Sequence, residues 1–221
     1  MNKLSDQLIK ACIFDLDGVI VDTAHYHFLA WQRLGRELGV NLTEKENEKL
    51  KGVSRMQSLQ IILDMGKITL SKDRKESLAN RKNDWFVEYV EAMKPEEIFP
   101  GVKQLISSIR KMGIKVALAS SSKNAPRVIE LLGIAKLFDV VVDGGMIVDT
   151  KPDPEIFLLS AQKLNINPKN CLVFEDAEAG VEAAIRAGMK CVGVGSAANV
   201  GRANMVVSKT SDFKLETLTS I

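Results

Sequence analysis

One stretch decides the fold of this chain: Phe14-Asp15-Leu16-Asp17-Gly18-Val19-Ile20-Val21-Asp22-Thr23. It starts at the end of an apolar run, residues 11–14, that is typical of a buried β-strand. Two carboxylates then stand two positions apart, so they project from the same side of an extended backbone. Gly18 permits the sharp turn that leaves the strand. Acids at the carboxyl end of a buried strand lie where open α/β sheets bind ligands, although acids also simply end strands.

The rest of the chain alternates between short apolar runs and helical patterns. The runs predict strands at residues 11–14, 115–119, 140–142, 171–174 and 190–194. Helical spacing of apolar residues follows the later runs or lies between them, at residues 102–111, 125–132, 153–164 and 178–187. Such alternation implies parallel crossovers and a sheet covered by helices on both faces. The predicted fold class is therefore α/β, with a Rossmann-like parallel sheet as its core.

One region interrupts this alternation. Between the first and second predicted strands, helical periodicity recurs at residues 26–38, 44–50, 55–65 and 71–93, with no strand pattern. Pro95 and the pair Pro100-Gly101 mark the return of the chain to the sheet. We interpret this block as a small α-helical domain inserted into the core. The predicted boundaries are 22–95 for the inserted domain, and 1–21 together with 96–221 for the core.

The composition excludes several classes of protein. The 221 residues are 46% hydrophobic and 26% charged, as in an ordinary globular protein. A net charge of +2 without a basic block, and an aromatic content of 5%, argue against binding to nucleic acid or to a membrane surface. No apolar segment is long enough to cross a bilayer. Cys12, Cys171 and Cys191 are scattered through apolar runs, which indicates buried, reduced thiols and a cytoplasmic location.

Three further polar groups follow later predicted strands. The turn Ser120-Ser121-Ser122-Lys123-Asn124 offers hydroxyls and amides suited to a phosphate, although it could equally cap the helix that follows. Lys151 precedes Pro152 and would be an ordinary surface lysine anywhere else. Glu175 and Asp176 end the fourth run, and paired carboxylates favour a hard cation such as Mg²⁺.

The order of these groups is more specific than any one of them. An Asp-x-Asp pair, a serine, a Lys-Pro pair and a Glu-Asp pair follow successive strands, and this order resembles the haloacid dehalogenase superfamily of phosphotransferases over essentially the whole chain. The resemblance implies that Asp15 is a nucleophile that forms an aspartyl phosphate, and that Asp17 is the general acid and base.

The same resemblance implies roles for the other polar groups. Ser120 and Lys151 would hold the transferring phosphoryl group, and the rest of the turn, Ser121, Lys123 and Asn124, would contribute to phosphate binding. A bound Mg²⁺ would be held by the side chains of Asp15, Glu175 and Asp176 and by the backbone carbonyl of Asp17.

Two segments of the inserted domain narrow the resemblance. Residues 15–31 and 51–59 look like the β-phosphoglucomutase family, whose small helical cap occupies this place. In that family the residue matching His27 contacts the general acid and base. The matches of Lys51 and Arg55 reach the substrate, and Arg55 would hold the phosphate that is not transferring. Thr23, Gly52 and Ser58 complete the implied substrate contacts. Alternatively, His27 is an ordinary helix residue, and Lys51 with Arg55 forms a solvated face.

These implications lead to one expected function and two alternatives. We expect a cytoplasmic, monomeric, Mg²⁺-dependent phosphomutase that interconverts β-D-glucose 1-phosphate and D-glucose 6-phosphate through β-glucose 1,6-bisphosphate. A sugar-phosphate phosphatase would share the core and the nucleophile. A non-catalytic binding module is disfavoured because Asp15, Asp17, Lys151 and Asp176 are all present.

Overall fold

The core of the protein is a parallel β-sheet. A computed structural model describes residues 9–50, 53–219 and 221, and within them six strands pair in the order β3-β2-β1-β4-β5-β6. The strands are β1 (Ala11–Phe14), β2 (Lys115–Ser120), β3 (Val140–Asp143), β4 (Cys171–Glu175), β5 (Lys190–Val194) and β6 (Met205–Val207). All five pairings are parallel. The order reverses direction between β1 and β4, so the crevice where such sheets bind ligands lies at their carboxyl ends.

Helices pack around the sheet and fill the insertion. The insertion contains α1 (Ala24–Glu37), α2 (Glu44–Asn47), α3 (Arg55–Met65) and α4 (Lys72–Val90). The core contains α5 (Val102–Lys111), α6 (Ala125–Leu131), α7 (Glu155–Leu164), α8 (Glu178–Arg186) and α9 (Ala197–Val200). This arrangement confirms the predicted fold class, a Rossmann-like sheet with an inserted helical cap.

Both faces of the sheet are buried. Alternate residues of β1 enter two separate apolar clusters, Cys12 and Phe14 on one face, Ala11 and Ile13 on the other. Phe14 stacks on Phe174 of β4 with ring centroids 4.4 Å apart. Burial on both faces explains why the strands read as continuous apolar runs rather than as alternating patterns.

The two connections between the core and the inserted helices run side by side. Val21 and Ile98 form an antiparallel bridge, and the Phe99 amide donates to the Ile20 carbonyl at 2.9 Å. Val21 also bridges Asp17. These contacts lie close to the boundaries expected at 21/22 and 95/96, which remain a prediction.

The structure differs from the sequence interpretation mainly at the edges of elements. Strand β6 and helix α9 were not predicted, because three and four residues are too few for a periodic pattern. Helix α7 begins at Glu155 rather than at 153, since Pro154 disfavours helical backbone at Asp153 and the Asp153 carboxylate accepts from the Glu155 amide at 2.9 Å.

Two expectations from composition also have structural counterparts. Cys12, Cys171 and Cys191 are free thiols and all three are buried. In the described part of the chain, none of the helices has the length and the apolar character that spanning a bilayer requires.

Candidate active site

A buried lysine connects the carboxyl ends of β1 and β4. Lys151 Nζ lies 2.5 Å from Asp15 Oδ1 and 2.8 Å from Glu175 Oε2, and the lysine is 1% exposed. Burial alone would lower the pKa of Lys151, but the carboxylates of Asp15 and Glu175 raise it above its ordinary value. Burial in turn raises the pKa of Glu175 to about 7, although Lys151 opposes the shift. One cation therefore holds two carboxylates that would otherwise repel each other.

The same edge of the sheet offers a site for a divalent cation. Carboxylate oxygens of Asp15, Glu175 and Asp176 lie within 4.8 Å of one another. An all-oxygen, acidic set of this kind suits Mg²⁺. Two glycines leave room for these carboxylates: a Cβ on Gly18 would lie 2.0 Å from Asp176 Oδ2, and one on Gly180 would lie 2.0 Å from the carboxyl carbon of Glu175. The residues present therefore fit a bound Mg²⁺ ion.

Asp17 differs from its neighbour Asp15 because no described lysine or arginine forms an ion pair with it. Asp17 Oδ1 is buried and has no hydrogen-bond partner among the described residues. Burial, followed by the charge of Asp15, raises the pKa of Asp17 to about 8. At neutral pH this carboxyl is largely protonated in the protein without metal. It can therefore donate a proton, as a general acid must.

The serine-rich turn after β2 is held by its own hydroxyls, and the side chain of Asn124, the N-cap of α6, makes no capping hydrogen bond. The Ser120 hydroxyl accepts from the Ser122 amide at 3.1 Å, and the Ser122 hydroxyl accepts from the Asn124 amide at 3.2 Å. These bonds shape the start of α6. A hydroxyl that accepts one bond still has its own hydrogen to donate, so Ser120 remains able to bind an anion.

A cationic cluster lies on the side of the cap that faces these acids. Lys82 of α4 is 2% exposed, and its Nζ lies 2.7 Å from His27 Nδ1 and 4.6 Å from the centre of the Trp31 ring. His27 stacks on Phe86 with ring centroids 3.9 Å apart. Burial and the charges of Lys82 and Arg55 hold the pKa of His27 well below its usual value. The His27 ring is therefore neutral at physiological pH.

Arg55 occupies the first turn of α3 and is half-buried. Its Nη2 donates to Asn83 Oδ1 at 2.7 Å, and burial lowers its pKa. Ser58, one turn later, is buried, and its hydroxyl lies 3.5 Å from the Leu50 carbonyl. Thr23 is buried in front of α1, where its carbonyl accepts from the His27 amide at 3.0 Å.

The cap and the core enclose a cavity of about 130 Å³. Six predicted site residues line it from the core side: Asp15, Asp17, Ser121, Lys123, Glu175 and Asp176. Three line it from the cap side: His27, Arg55 and Ser58. Four others are not among the residues that line the cavity: Thr23, Ser120, Asn124 and Lys151. Lys51 and Gly52 lie outside the described residues.

Among the residues that sequence reasoning missed are Trp31 and Lys82, which line the cavity, and Asn83, which accepts a hydrogen bond from Arg55. Lys82 had a readable signal, because it interrupts the buried stripe of α4 formed by Leu78, Ala79, Trp85 and Phe86. A charged residue at an apolar position of a helix is costly and therefore informative. Trp31 and Asn83 have no comparable signal in the sequence.

The environment of Asp17 predicts a gain in stability when its charge is removed. A carboxyl whose pKa is about 8 in the folded state, against 3.8 in the ordinary one, loses folding stability as the pH rises between those values. We expect Asp17→Asn to stabilise the metal-free protein by about 1–3 kcal/mol, because a neutral amide avoids the cost of burying a negative charge. Unfolding in chelator at about pH 5 and about pH 8 measures this, and the gain should be larger at the higher pH. An equal or negative change at both pH values contradicts it.

Comparisons with known proteins agree with the geometry. A sequence profile described as haloacid dehalogenase-like hydrolase matches residues 9–188. A β-phosphoglucomutase of Bacillus subtilis is 42% identical over 95% of this chain and 94% of its own. A phosphorylated carbohydrates phosphatase of Thermotoga maritima is 33% identical over 96% and 98% of the two chains. The crystal structure of a β-phosphoglucomutase from Clostridium difficile superposes with a TM-score of 0.93 at 44% identity, covering 96% of each chain.

The profile match spans most of the core and the whole inserted cap, and the sheet edge carries the acids and the lysine that the motifs predicted. This chain belongs to the haloacid dehalogenase-like hydrolase family, in which it is similar to the β-phosphoglucomutases.

Proposed function

We propose that the protein is a Mg²⁺-dependent phosphomutase that interconverts β-D-glucose 1-phosphate and D-glucose 6-phosphate. The observation that carries the proposal is the opposition of two walls across one cavity. The Asp15 nucleophile and its acidic neighbours form the core wall, and Arg55 stands on the cap wall. A substrate with two phosphates can engage both walls at once. The identity of 42–44% to β-phosphoglucomutases, over the cap as well as the core, supports the same assignment.

The chemistry starts at Asp15. Its carboxylate attacks the phosphorus of β-glucose 1,6-bisphosphate or of another phosphoryl donor, and the bond between phosphorus and the donor oxygen breaks. The phosphoryl group becomes an aspartyl phosphate, and this phosphorylated enzyme is the form that takes β-glucose 1-phosphate. The ammonium of Lys151 lies 2.5 Å from Asp15 Oδ1, so it holds the attacking carboxylate in place and offsets part of the negative charge that would repel a phosphate. Asp15, Glu175, Asp176 and the backbone carbonyl of Asp17 would hold Mg²⁺. The ion, when bound, offsets negative charge on the phosphoryl oxygens.

Asp17 acts as the general acid in one phosphoryl transfer and as the general base in the next. Its raised pKa keeps it protonated, so it can donate to the sugar oxygen that leaves phosphorus. The resulting carboxylate then removes the proton from the C6 hydroxyl of a bound β-glucose 1-phosphate, when that oxygen takes the phosphoryl group from the aspartyl phosphate. The product of that transfer is β-glucose 1,6-bisphosphate. After this intermediate turns around, the other phosphate transfers to Asp15 and the isomerised monophosphate is released.

The cap residues orient the sugar and its second phosphate. Arg55 supplies a planar fork of donors for the phosphate that is not transferring. The half-buried His27 and the buried Lys82 face the cavity near the general acid, and Thr23, Lys51, Gly52 and Ser58 complete the substrate-binding set that we propose. On the core side, Ser120, Ser121, Lys123 and Asn124 bind phosphate. We further propose that the enzyme acts in the cytoplasm as a monomer, with no nucleic-acid or membrane partner.

A sugar-phosphate phosphatase is the second candidate. The 33% identity to the phosphatase of Thermotoga maritima favours it, because the core chemistry is the same and only the acceptor differs. The product of β-glucose 1-phosphate, measured with and without added β-glucose 1,6-bisphosphate, separates the two functions. Glucose 6-phosphate supports the mutase, and stoichiometric free phosphate supports the phosphatase.

The two carboxylates of the Asp-x-Asp pair should fail in different ways. Asp15→Asn removes the nucleophile, so incubation with acetyl phosphate should yield no phosphoenzyme by intact mass. Asp17→Asn should still be phosphorylated by acetyl phosphate, whose leaving group needs little protonation. Its transfer to and from sugar hydroxyls should fall by about 10²–10⁴-fold. Substantial turnover by Asp15→Asn would exclude it as the nucleophile.

The metal should depend on Asp176 far more than on Glu178. Both residues lie at the end of β4 and the start of α8, but Glu178 is exposed on the first turn of the helix. We expect Asp176→Ala to weaken Mg²⁺ binding by at least about tenfold, as loss of an ionic ligand should. Glu178→Ala is the matched control. Calorimetric titration measures both affinities, and equal losses would show that the ligand is placed wrongly.

Loss of Arg55 should affect isomerisation more than phosphoryl transfer itself. Arg55→Ala removes charge-assisted hydrogen bonds to the second phosphate, which corresponds to about a 10- to 150-fold loss in kcat/KM for sugar phosphates. Phosphorylation by acetyl phosphate should be nearly unchanged. Arg55→Lys should restore the activity only in part, because an ammonium lacks the planar fork.

The ratio of isomerisation to hydrolysis is the decisive measurement for Arg55. A bisphosphate that is held loosely escapes before it reacts again, so the ratio should fall in Arg55→Ala. If this ratio stays at the wild-type value, the cap does not grip a second phosphate, and the phosphatase becomes the better assignment.

A further inference from the structure

Three elements meet at the side chain of Asn83. Its Oδ1 accepts from Arg55 Nη2 at 2.7 Å and from Asn124 Nδ2 at 2.8 Å. Asn83 lies on α4 and Arg55 on α3, both in the cap, whereas Asn124 immediately precedes α6 in the core. A single amide oxygen therefore connects a donor of the cap with a donor of the core.

Both donors keep hydrogens for another acceptor. A guanidinium has five N–H groups and an amide nitrogen has two, while the two lone pairs of the Asn83 oxygen are both in use. Arg55 lines the cavity beside the turn that contains Asn124. The Asn83 oxygen thus fixes where the remaining hydrogens of Arg55 and Asn124 point, without taking up their capacity to bind an anion.

The neutrality of Asn83 matters as much as its position. A half-buried guanidinium ordinarily pairs with a carboxylate, which would cancel the charge that a phosphate needs. The amide oxygen orients Arg55 and leaves its full positive charge available. The adjacent acid on α4, Asp84, is exposed and acts on Arg55 only through its distant charge.

We propose that Asn83 is a positioning residue, which assembles Arg55 and Asn124 into one clamp for the second phosphate before the substrate arrives. This inference rests on the proposed function, since it assumes that Arg55 and Asn124 bind that phosphate. Asn83 itself acts through these two residues. Its predicted contribution is the pre-organisation of their donors across the boundary between cap and core.

A purely structural role is the competing explanation, and the chain provides a control for it. Arg127 of α6 and Glu91 at the end of α4 form a second link between the same two helices, with Arg127 Nε and Nη2 at 3.0 and 2.9 Å from Glu91 Oε1. Both side chains of this pair are about half exposed, and neither belongs to the site. If Asn83 only ties α4 to α6, Glu91→Ala should reproduce the effect of its loss.

The experiment compares four variants in two assays. Asn83→Ala should raise the KM for β-glucose 1-phosphate by about 5- to 50-fold and lower the ratio of isomerisation to hydrolysis, because two hydrogen bonds to the clamp are lost. Phosphorylation by acetyl phosphate, which has no second phosphate, should stay within about twofold. Glu91→Ala should leave the KM and the ratio of isomerisation to hydrolysis within about twofold of the wild-type values. Arg55→Ala reports on the clamp itself.

Asn83→Asp separates positioning from simple tethering. The carboxylate still accepts from Arg55 and Asn124, so it restores any structural tie. It also neutralises Arg55 and repels the incoming phosphate. We therefore expect Asn83→Asp to bind β-glucose 1-phosphate at least as poorly as Asn83→Ala, with a deficit that grows at low ionic strength. If Asn83→Ala does not fold, the result for Asn83→Asp alone tests the positioning role of Asn83.

Two results would overturn the inference. One is a wild-type KM and product ratio in Asn83→Ala, or values equal to those of Glu91→Ala; the other is full recovery in Asn83→Asp. If Arg55→Ala changes the product ratio and the Asn83 variants do not, only the role of Asn83 is wrong. If Arg55→Ala also leaves the ratio unchanged, the proposed function itself fails.

Discussion

The buried ammonium of Lys151 is the interaction on which the rest of the site depends. Strands β1 and β4 are neighbours, so Asp15 and Glu175 meet at the same sheet edge whatever else the chain does. Two carboxylates at this depth repel each other, and burial raises the pKa of Glu175 to about 7. Lys151 touches both and is itself held beside the Phe157 ring, with Nζ 5.1 Å from its centre. Removing one partner from such a buried group typically costs about 3–5 kcal/mol, because the others are left unpaired.

The cleft above this lysine is built from two walls of opposite character. The core wall carries the acidic side chains of Asp15, Asp17 and Asp176, and the cap wall carries the basic side chains of Lys82 and Arg55. Neither wall is well compensated in the protein alone: burial raises the pKa of Asp17 and lowers that of Lys82. Groups kept in unfavourable protonation environments are a mark of function rather than of stability. A metal ion on one side and a phosphate dianion between the walls would relieve both.

The sequence was informative where chemistry and topology coincide. The motif residues follow successive strands, and in a parallel sheet the strand ends must share an edge, so Asp15, Lys151, Glu175 and Asp176 could be grouped without coordinates. The strand and helix cores were likewise predictable from periodicity, for example α3 and α5 at their full length. Strand β6 was not, since three residues at the sheet edge carry no pattern.

Contacts across the cap boundary were also beyond the sequence. Asn83 and Asn124 are 41 positions apart and lie in different parts of the fold, and nothing local to either predicts that they touch. The same applies to Trp31, which contacts Lys82 only because α1 and α4 pack together. Lys82 was predictable only in part. Its place on an apolar stripe indicates that it is buried, but the identity of its partner depends on tertiary structure.

The two glycines against which the acids pack limit how the sequence of this protein can vary. At Gly18 and Gly180 a single methyl group would occupy the space of the Asp176 and Glu175 carboxylates, respectively. An alanine at either position would therefore push a carboxylate of the site out of place, although every motif acid would still be present in the sequence. Inheritance of all the motif acids is thus no guarantee of an intact site. The geometry of the site depends on Gly18 and Gly180, which have no side chain, as much as on the acids themselves.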